Sequence, residues 1–243
     1  MLVAVVDRAG RGGIQKVKRT FEEVQRKYTE EGHRLRWPVS AEIVHIPIMG
    51  ASKSLKDRHT LFVSVRAVES GVLDGLIAHE LGHMFRTEEE HASHDPEVYR
   101  QVGQEVRIPR PAEAAFSQAF NHVQDIYADD LAFIVLESVR GRMYEFFAAW
   151  IEGNLQSQGK NRWQNVALAV TNGFAIGNLV RHGLIASDDP LWERARGFDR
   201  SAGFSAVDLF AEFYANLPES PSAAVFIGEV KGLANLMTKV VGA

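Results

Sequence analysis

Leu76-Ile77-Ala78-His79-Glu80-Leu81-Gly82-His83-Met84-Phe85 is the stretch from which the rest of the chain is read. It is an H-E-x-x-H sequence set in an apolar segment, and its periodicity predicts a helix from Val72 to Phe85 with Leu73, Ile77 and Met84 toward a core. Residues four apart lie one above the other on a helix, so His79 and His83 can each turn one ring nitrogen to the same ion. Glu80 stands about 100° round from His79, near enough to reach a water on that ion without ligating it. A zinc ion lowers the pKa of its water to about 7, and a neighbouring carboxylate can take the proton as the water attacks a polarised carbonyl. Without a metal, two imidazoles beside a carboxylate on an apolar helix would be costly to bury. The pattern therefore predicts a metal site with His79 and His83 as ligands and Glu80 as the general base.

Catalytic zinc normally takes three protein ligands and leaves its fourth position to water. The chain has no cysteine, which excludes disulfides, thiolate-held zinc and iron–sulfur clusters and leaves the metal to His, Asp and Glu. Downstream, the stretch from Phe120 through Asn121, His122 and Asp125 to Asp129-Asp130 reads as a second helix. Asn121, Asp125 and Asp129 recur every fourth residue as a polar stripe, beside an apolar one of Phe116, Phe120, Val123 and Tyr127. Together the two segments resemble the gluzincin branch of the zinc metallopeptidases, in which H-E-x-x-H is followed on a later helix by E-x-x-x-D. There the Glu ligates zinc and the Asp hydrogen-bonds a ligand histidine. The resemblance implies His79 and His83 as ligands, Glu80 as the catalytic carboxylate, Asp125 as third ligand and Asp129 as the acid behind a ligand imidazole. This chain has Asp where the pattern has Glu, one carbon shorter, so a second register stays open, with Asn121 on the metal and Asp125 behind it. An anionic oxygen is the commoner zinc ligand, which favours Asp125.

The metzincin continuation needs Gly and a third His where this chain has Arg86 and Glu89. The polar stretch from Thr87 to Asp95 offers His91 as another third ligand, although its acids suit a solvated loop after the helix. His45, His122 and His182, with Tyr127 and Tyr144, are candidate donors to a developing oxyanion, His122 first because it neighbours the ligand face. The expected function is zinc-dependent hydrolysis of a peptide or protein substrate. Its rivals are a non-catalytic helical interaction module braced by a metal, with His91 or Asp129 closing the site, a degenerate peptidase, and a hydrolase of a non-peptide amide. A purely structural site has no chemical use for Glu80.

Outward from the motif, the 243 residues with 46% hydrophobic and 24% charged side chains suit one large domain or two lobes with a core of ordinary size. A net charge of −4 gives no overall field for nucleic acid or an anionic membrane. Met1 to Asp7 reads as a strand rather than a signal peptide, and no apolar run approaches the ~20 residues of a membrane span. The expectation is a soluble, cytoplasmic protein. Ile14, Val17, Phe21, Val24 and Tyr28 mark an amphipathic helix, and Ala41 to Ile48 and Leu61 to Val65 read as strands, the first held to an edge or an end by Pro47. The resemblance to zincins, in which an edge strand before the motif helix binds an extended peptide, implies that role for Leu61–Val65, directly before this motif helix. Asp95-Pro96-Glu97 has the form of a helix start. Beyond Pro109-Arg110-Pro111 the chain reads as helical: 112 to about 153, a polar linker to 161, 162 to about 181, a piece after Pro190, 205–216 and 222–241. The predicted fold is therefore α+β, and the resemblance implies that it is zincin-like. Residues 1–108 form an α+β lobe with the motif helix, and residues 109–243 a helical lobe bearing the third ligand.

Overall fold

The computed structural model describes residues 2–137, 140–157 and 159–242. Four strands, β1 (Leu2–Asp7), β2 (Val39–Val44), β3 (Gly50–Leu55) and β4 (Arg58–Ser64), form one sheet in the order β1-β2-β4-β3. The pairs β1/β2 and β2/β4 are parallel and β3/β4 is an antiparallel hairpin. The period of two in β2 and β4 decides how the sheet is covered. Val39, Ala41, Ile43, Leu61 and Val63 are fully buried, while Ser40, Glu42, Thr60 and Phe62 between them remain partly exposed. Helix α1 (Ile14–Glu30) joins β1 to β2 and buries Val17, Phe21, Val24 and Tyr28, the stripe read from the sequence. After β4 come the short α2 (Val65–Glu69) and the motif helix α3 (Leu73–Glu88). Helix α3 packs on α1 and β3.

Seven further helices complete the α+β fold among the described residues: α4 (Pro96–Glu105), α5 (Glu113–Val135), α6 (Arg140–Leu155), α7 (Arg162–Arg181), α8 (Pro190–Ala202), α9 (Val207–Ala215) and α10 (Ala223–Gly242). The chain divides into two compact units, Met1–His94 with Tyr127–Val139, and Asp95–Ile126 with Arg140–Ala243. Helix α5 thus begins in the second unit and ends in the first. The second unit is built round α7, which is buried on nearly all sides and lies close against α9. A Cβ on Gly173 would stand 2.3 Å from Phe210 Cβ, and one on Gly177 2.6 Å from the Ala211 carbonyl oxygen, so these glycines set the closeness of that contact. Asp95 caps α4 by accepting from the Glu97 N–H at 2.7 Å, as Asp95-Pro96-Glu97 predicts. No helix among the described residues is long and apolar enough to cross a membrane.

Two expectations change. Leu61–Val65 is no edge: β4 lies between β2 and β3, and the edge beside it is β3, Gly-Ala-Ser-Lys-Ser-Leu, whose polar composition hides a strand from a search for β-branched alternation. The long helix expected from 112 to 153 breaks after Val135 and resumes at Arg140.

The far end of α3 is tied to the sheet through Glu88. Its carboxylate accepts from the backbone N–H groups of Arg36 (2.6 Å) and Trp37 (2.9 Å) and lies 2.9 Å from His59 Nε2, while His59 Nδ1 lies 2.8 Å from the Ser54 hydroxyl. Burial opposes ionisation of Glu88, but the Trp37 and Arg36 N–H groups, with the His59 and Arg36 side chains, outweigh it and hold the carboxyl below its ordinary 4.5. Burial pushes His59 below its ordinary 6.5, against the pull of Glu88. Both folded-state values lie under the unfolded ones, so the unfolded chain takes up protons first on acidification. Stability should fall as the pH drops below 6.5 through His59, and further below 4.5 through Glu88. Urea unfolding across that range checks this, and Glu88→Gln should lower stability at neutral pH and flatten the acid limb.

Candidate metal centre

The site is built from the contact of α3 with the end of α5. Leu73, Ile77, Leu81, Met84 and Phe85 bury one side of α3, and the fully buried Tyr28 donates its hydroxyl to the Ala78 carbonyl at 2.8 Å. On α3, Gly82 faces the α5 backbone: a Cβ there would lie 2.5 Å from the Ala128 carbonyl oxygen. One turn later Arg86 donates through Nε to the Tyr127 carbonyl at 2.9 Å. These two contacts fix Tyr127 and Ala128 against α3, and the next residue, Asp129, comes to rest on His79, with Oδ1 2.8 Å from Nδ1.

Asp129 is almost wholly buried, its side chain 4% exposed. A carboxylate accepts only, so His79 Nδ1 carries the proton and Nε2 carries the lone pair. His83 Nε2 stands 3.1 Å from His79 Nε2, and His83 Nδ1 is 2.7 Å from His94 Nε2. Each ring of the motif pair thus has one nitrogen engaged away from its partner and the other turned toward it. Nitrogen lone pairs meeting at this distance repel unless a cation or a proton lies between them. On α5, one turn before Asp129, Asp125 supplies a carboxylate oxygen: the donor atoms of His79, His83 and Asp125 all lie within 4.8 Å of one another. Two imidazole nitrogens and one anionic oxygen make a donor set that fits zinc.

The other sequence-derived candidates separate clearly. Asn121 is exposed. His91 turns Nδ1 to the Ser93 hydroxyl at 2.8 Å and lies with its ring 4.5 Å from that of Tyr127. His122 is buried, stacked on Phe174 at 4.3 Å, with Nδ1 3.3 Å from Asp125 Oδ2, so it supports the aspartate. Tyr144 hydrogen-bonds Asp189 and His182 donates to the Asn178 carbonyl, both within the second unit, and His45 is exposed beyond the end of β2. Glu80 is buried, 5% exposed. His91, the histidine of this stretch that the sequence offers as a ligand, is thus not the one on the motif: His94, which no spacing singles out, lies against His83. A cavity of about 300 Å³ elsewhere in the first unit, with Lys16, Lys27, Ser70 and Asp74 in its wall, includes none of these residues.

Residues 23–233, the whole site among them, match the model of a family of unknown function, DUF5781, and the chain belongs to that family. No curated protein and no solved structure matches it.

The Gly82 contact is open to test. Gly82→Ala should overpack the crossing, lowering stability by about 1–3 kcal/mol and disturbing the His79 to Asp129 bond. Gly103→Ala in α4, where a Cβ meets nothing within 4 Å, should be neutral or stabilising by up to ~1 kcal/mol. Denaturant midpoints of the two variants measure the difference.

Proposed function

We propose that this protein is a zinc-dependent metallopeptidase of zincin type. The observation that carries the reading is the motif pair: two Nε2 atoms 3.1 Å apart, each ring engaged through Nδ1 by another side chain. His79 and His83 would hold the ion through Nε2 and Asp125 through a carboxylate oxygen, and Asp129 keeps His79 in the required tautomer. Bound zinc supplies Lewis acidity toward the scissile carbonyl and acidifies a water. Glu80 takes the proton from the attacking water on a carboxylate oxygen and returns it to the departing amine, so the carboxylate is regenerated each turnover. Glu80 is largely buried on the motif helix, and burying a carboxylate there raises the cost of keeping it for any other reason. An extended peptide would add to the sheet along β3, the edge strand of the hairpin that leads into α2 and α3.

A closed structural zinc site would need His91 or Asp129 on the ion. Asp129 is engaged at the far nitrogen of His79, and His91 at Ser93. That geometry favours a site with a position left for water.

Elemental analysis of the purified chain should find about one zinc, lost in His79→Ala or His83→Ala. Asp125→Ala should cut zinc affinity far more than Asn121→Ala or His91→Ala, and Asp129→Ala should weaken it roughly 10–100-fold. Glu80→Gln should retain fold and metal while cleavage of an unstructured protein falls by at least about 10²-fold. A wild-type chain that stays metal-free in zinc-replete buffer, or a Glu80→Gln variant that cleaves at the parent rate, overturns the proposal.

A further inference from the structure

Helix α3 ends in a way that turns the following residues back onto the motif. Glu90 adopts φ 54°, the left-handed region where glycine is usual. The His91 N–H bonds the Arg86 carbonyl (2.9 Å) and the Glu90 N–H the Thr87 carbonyl (3.2 Å), the paired bonds of a Schellman turn. The His94 N–H then bonds the His91 carbonyl at 2.8 Å. The reversal brings three side chains into a line that ends on a motif histidine. His91 Nδ1 is 2.8 Å from Ser93 Oγ, Ser93 Oγ is 2.7 Å from His94 Nδ1, and His94 Nε2 is 2.7 Å from His83 Nδ1.

Imidazole and hydroxyl groups can each donate or accept, so such a line has two senses unless something fixes one end. A backbone group does so here. The Ser93 N–H, which can only donate, bonds His91 Nδ1 at 3.3 Å, making that nitrogen an acceptor. The Ser93 hydroxyl, also facing His91 Nδ1, must then spend its one proton there. Its oxygen therefore accepts from His94 Nδ1–H, and His94 Nε2 is left as an acceptor. His83 Nδ1 must donate to it, which puts the lone pair of His83 on Nε2, toward His79.

We infer that His91, Ser93 and His94 form a one-way hydrogen-bond chain that holds His83 in the tautomer a metal ligand needs. His94 is its positioning residue, doing for His83 what Asp129 does for His79, with a neutral acceptor in place of a charged one. Two differently supported ligands follow: His79 backed by a buried anion and His83 by an uncharged relay anchored to the backbone. The inference rests on the metal-site reading for its purpose, but the hydrogen-bond sense can be measured without metal.

The test uses the full-length chain labelled with ¹⁵N in its histidines, kept metal-free above the imidazole titration range. Ring-nitrogen shifts should show His83 as the Nδ1–H tautomer in the parent. His94→Ala should move His83 toward Nε2–H or a mixture, and Ser93→Ala, a smaller change, should move it in the same direction. His94→Gln, which keeps an acceptor oxygen, should restore the parent tautomer at least in part. Zinc affinity should follow the same order, falling roughly 10–100-fold in His94→Ala and recovering in His94→Gln. An Nε2–H tautomer of His83 in the parent, or a His94→Ala variant whose tautomer and zinc affinity match the parent, overturns the inference. A parent that binds no zinc yet shows the Nδ1–H tautomer and its loss in His94→Ala would instead sink the metallopeptidase reading and leave the directional chain standing.

Discussion

The close crossing of α3 and the end of α5 is the constraint on which the site depends. With no side chain at Gly82, the backbone at Ala128 comes within van der Waals reach of the motif helix, and Arg86 holds the adjoining Tyr127 carbonyl in place. Asp129 then has little freedom in where it falls. Its position beside His79 is a consequence of backbone packing, which is far stiffer than a side-chain rotamer.

A buried acid at that crossing has electrostatic effects around it. Tyr28 has its hydroxyl pKa driven well above the ordinary 10.0, first by burial and then by the charge of Asp129, with Arg86 pulling the other way. The phenol therefore stays a neutral donor, and it gives its proton to the Ala78 carbonyl of the motif helix. Asp129 and Glu80 make an instructive contrast. One carboxylate is committed to an imidazole and shapes its electronics, while the other is buried on the motif helix one residue along from that imidazole.

Much of this was legible in the sequence because periodicity and spacing are local. The stripe Val17, Phe21, Val24, Tyr28 places α1, the i, i+4 histidines place the motif helix, and Asp125 with Asp129 marks the facing turn of α5. What stayed hidden depends on neighbours distant in sequence or on unusual backbone. Strand β3 is polar because it is an edge, and nothing in Gly50 to Leu55 announces the hairpin partner that makes it a strand. The end of α5 after Val135 has neither proline nor glycine at Leu136 or Glu137 to mark it. His94 was passed over because its contact with His83 requires Glu90 to enter the left-handed region, which a glutamate does not advertise.

The partner that keeps His79 in its working tautomer lies fifty positions further along the chain. An unfolded or half-made polypeptide therefore carries only the local histidine pair, a weak and undirected chelator. Bringing Asp129 home means closing a loop of that length, a cost that grows only slowly with loop size but must be met before any gain from the contact is felt. Were an ion to bind as proposed, its loading would wait for folding, and it would in turn hold the two distant stretches together, so that occupancy and foldedness would become one thermodynamic variable.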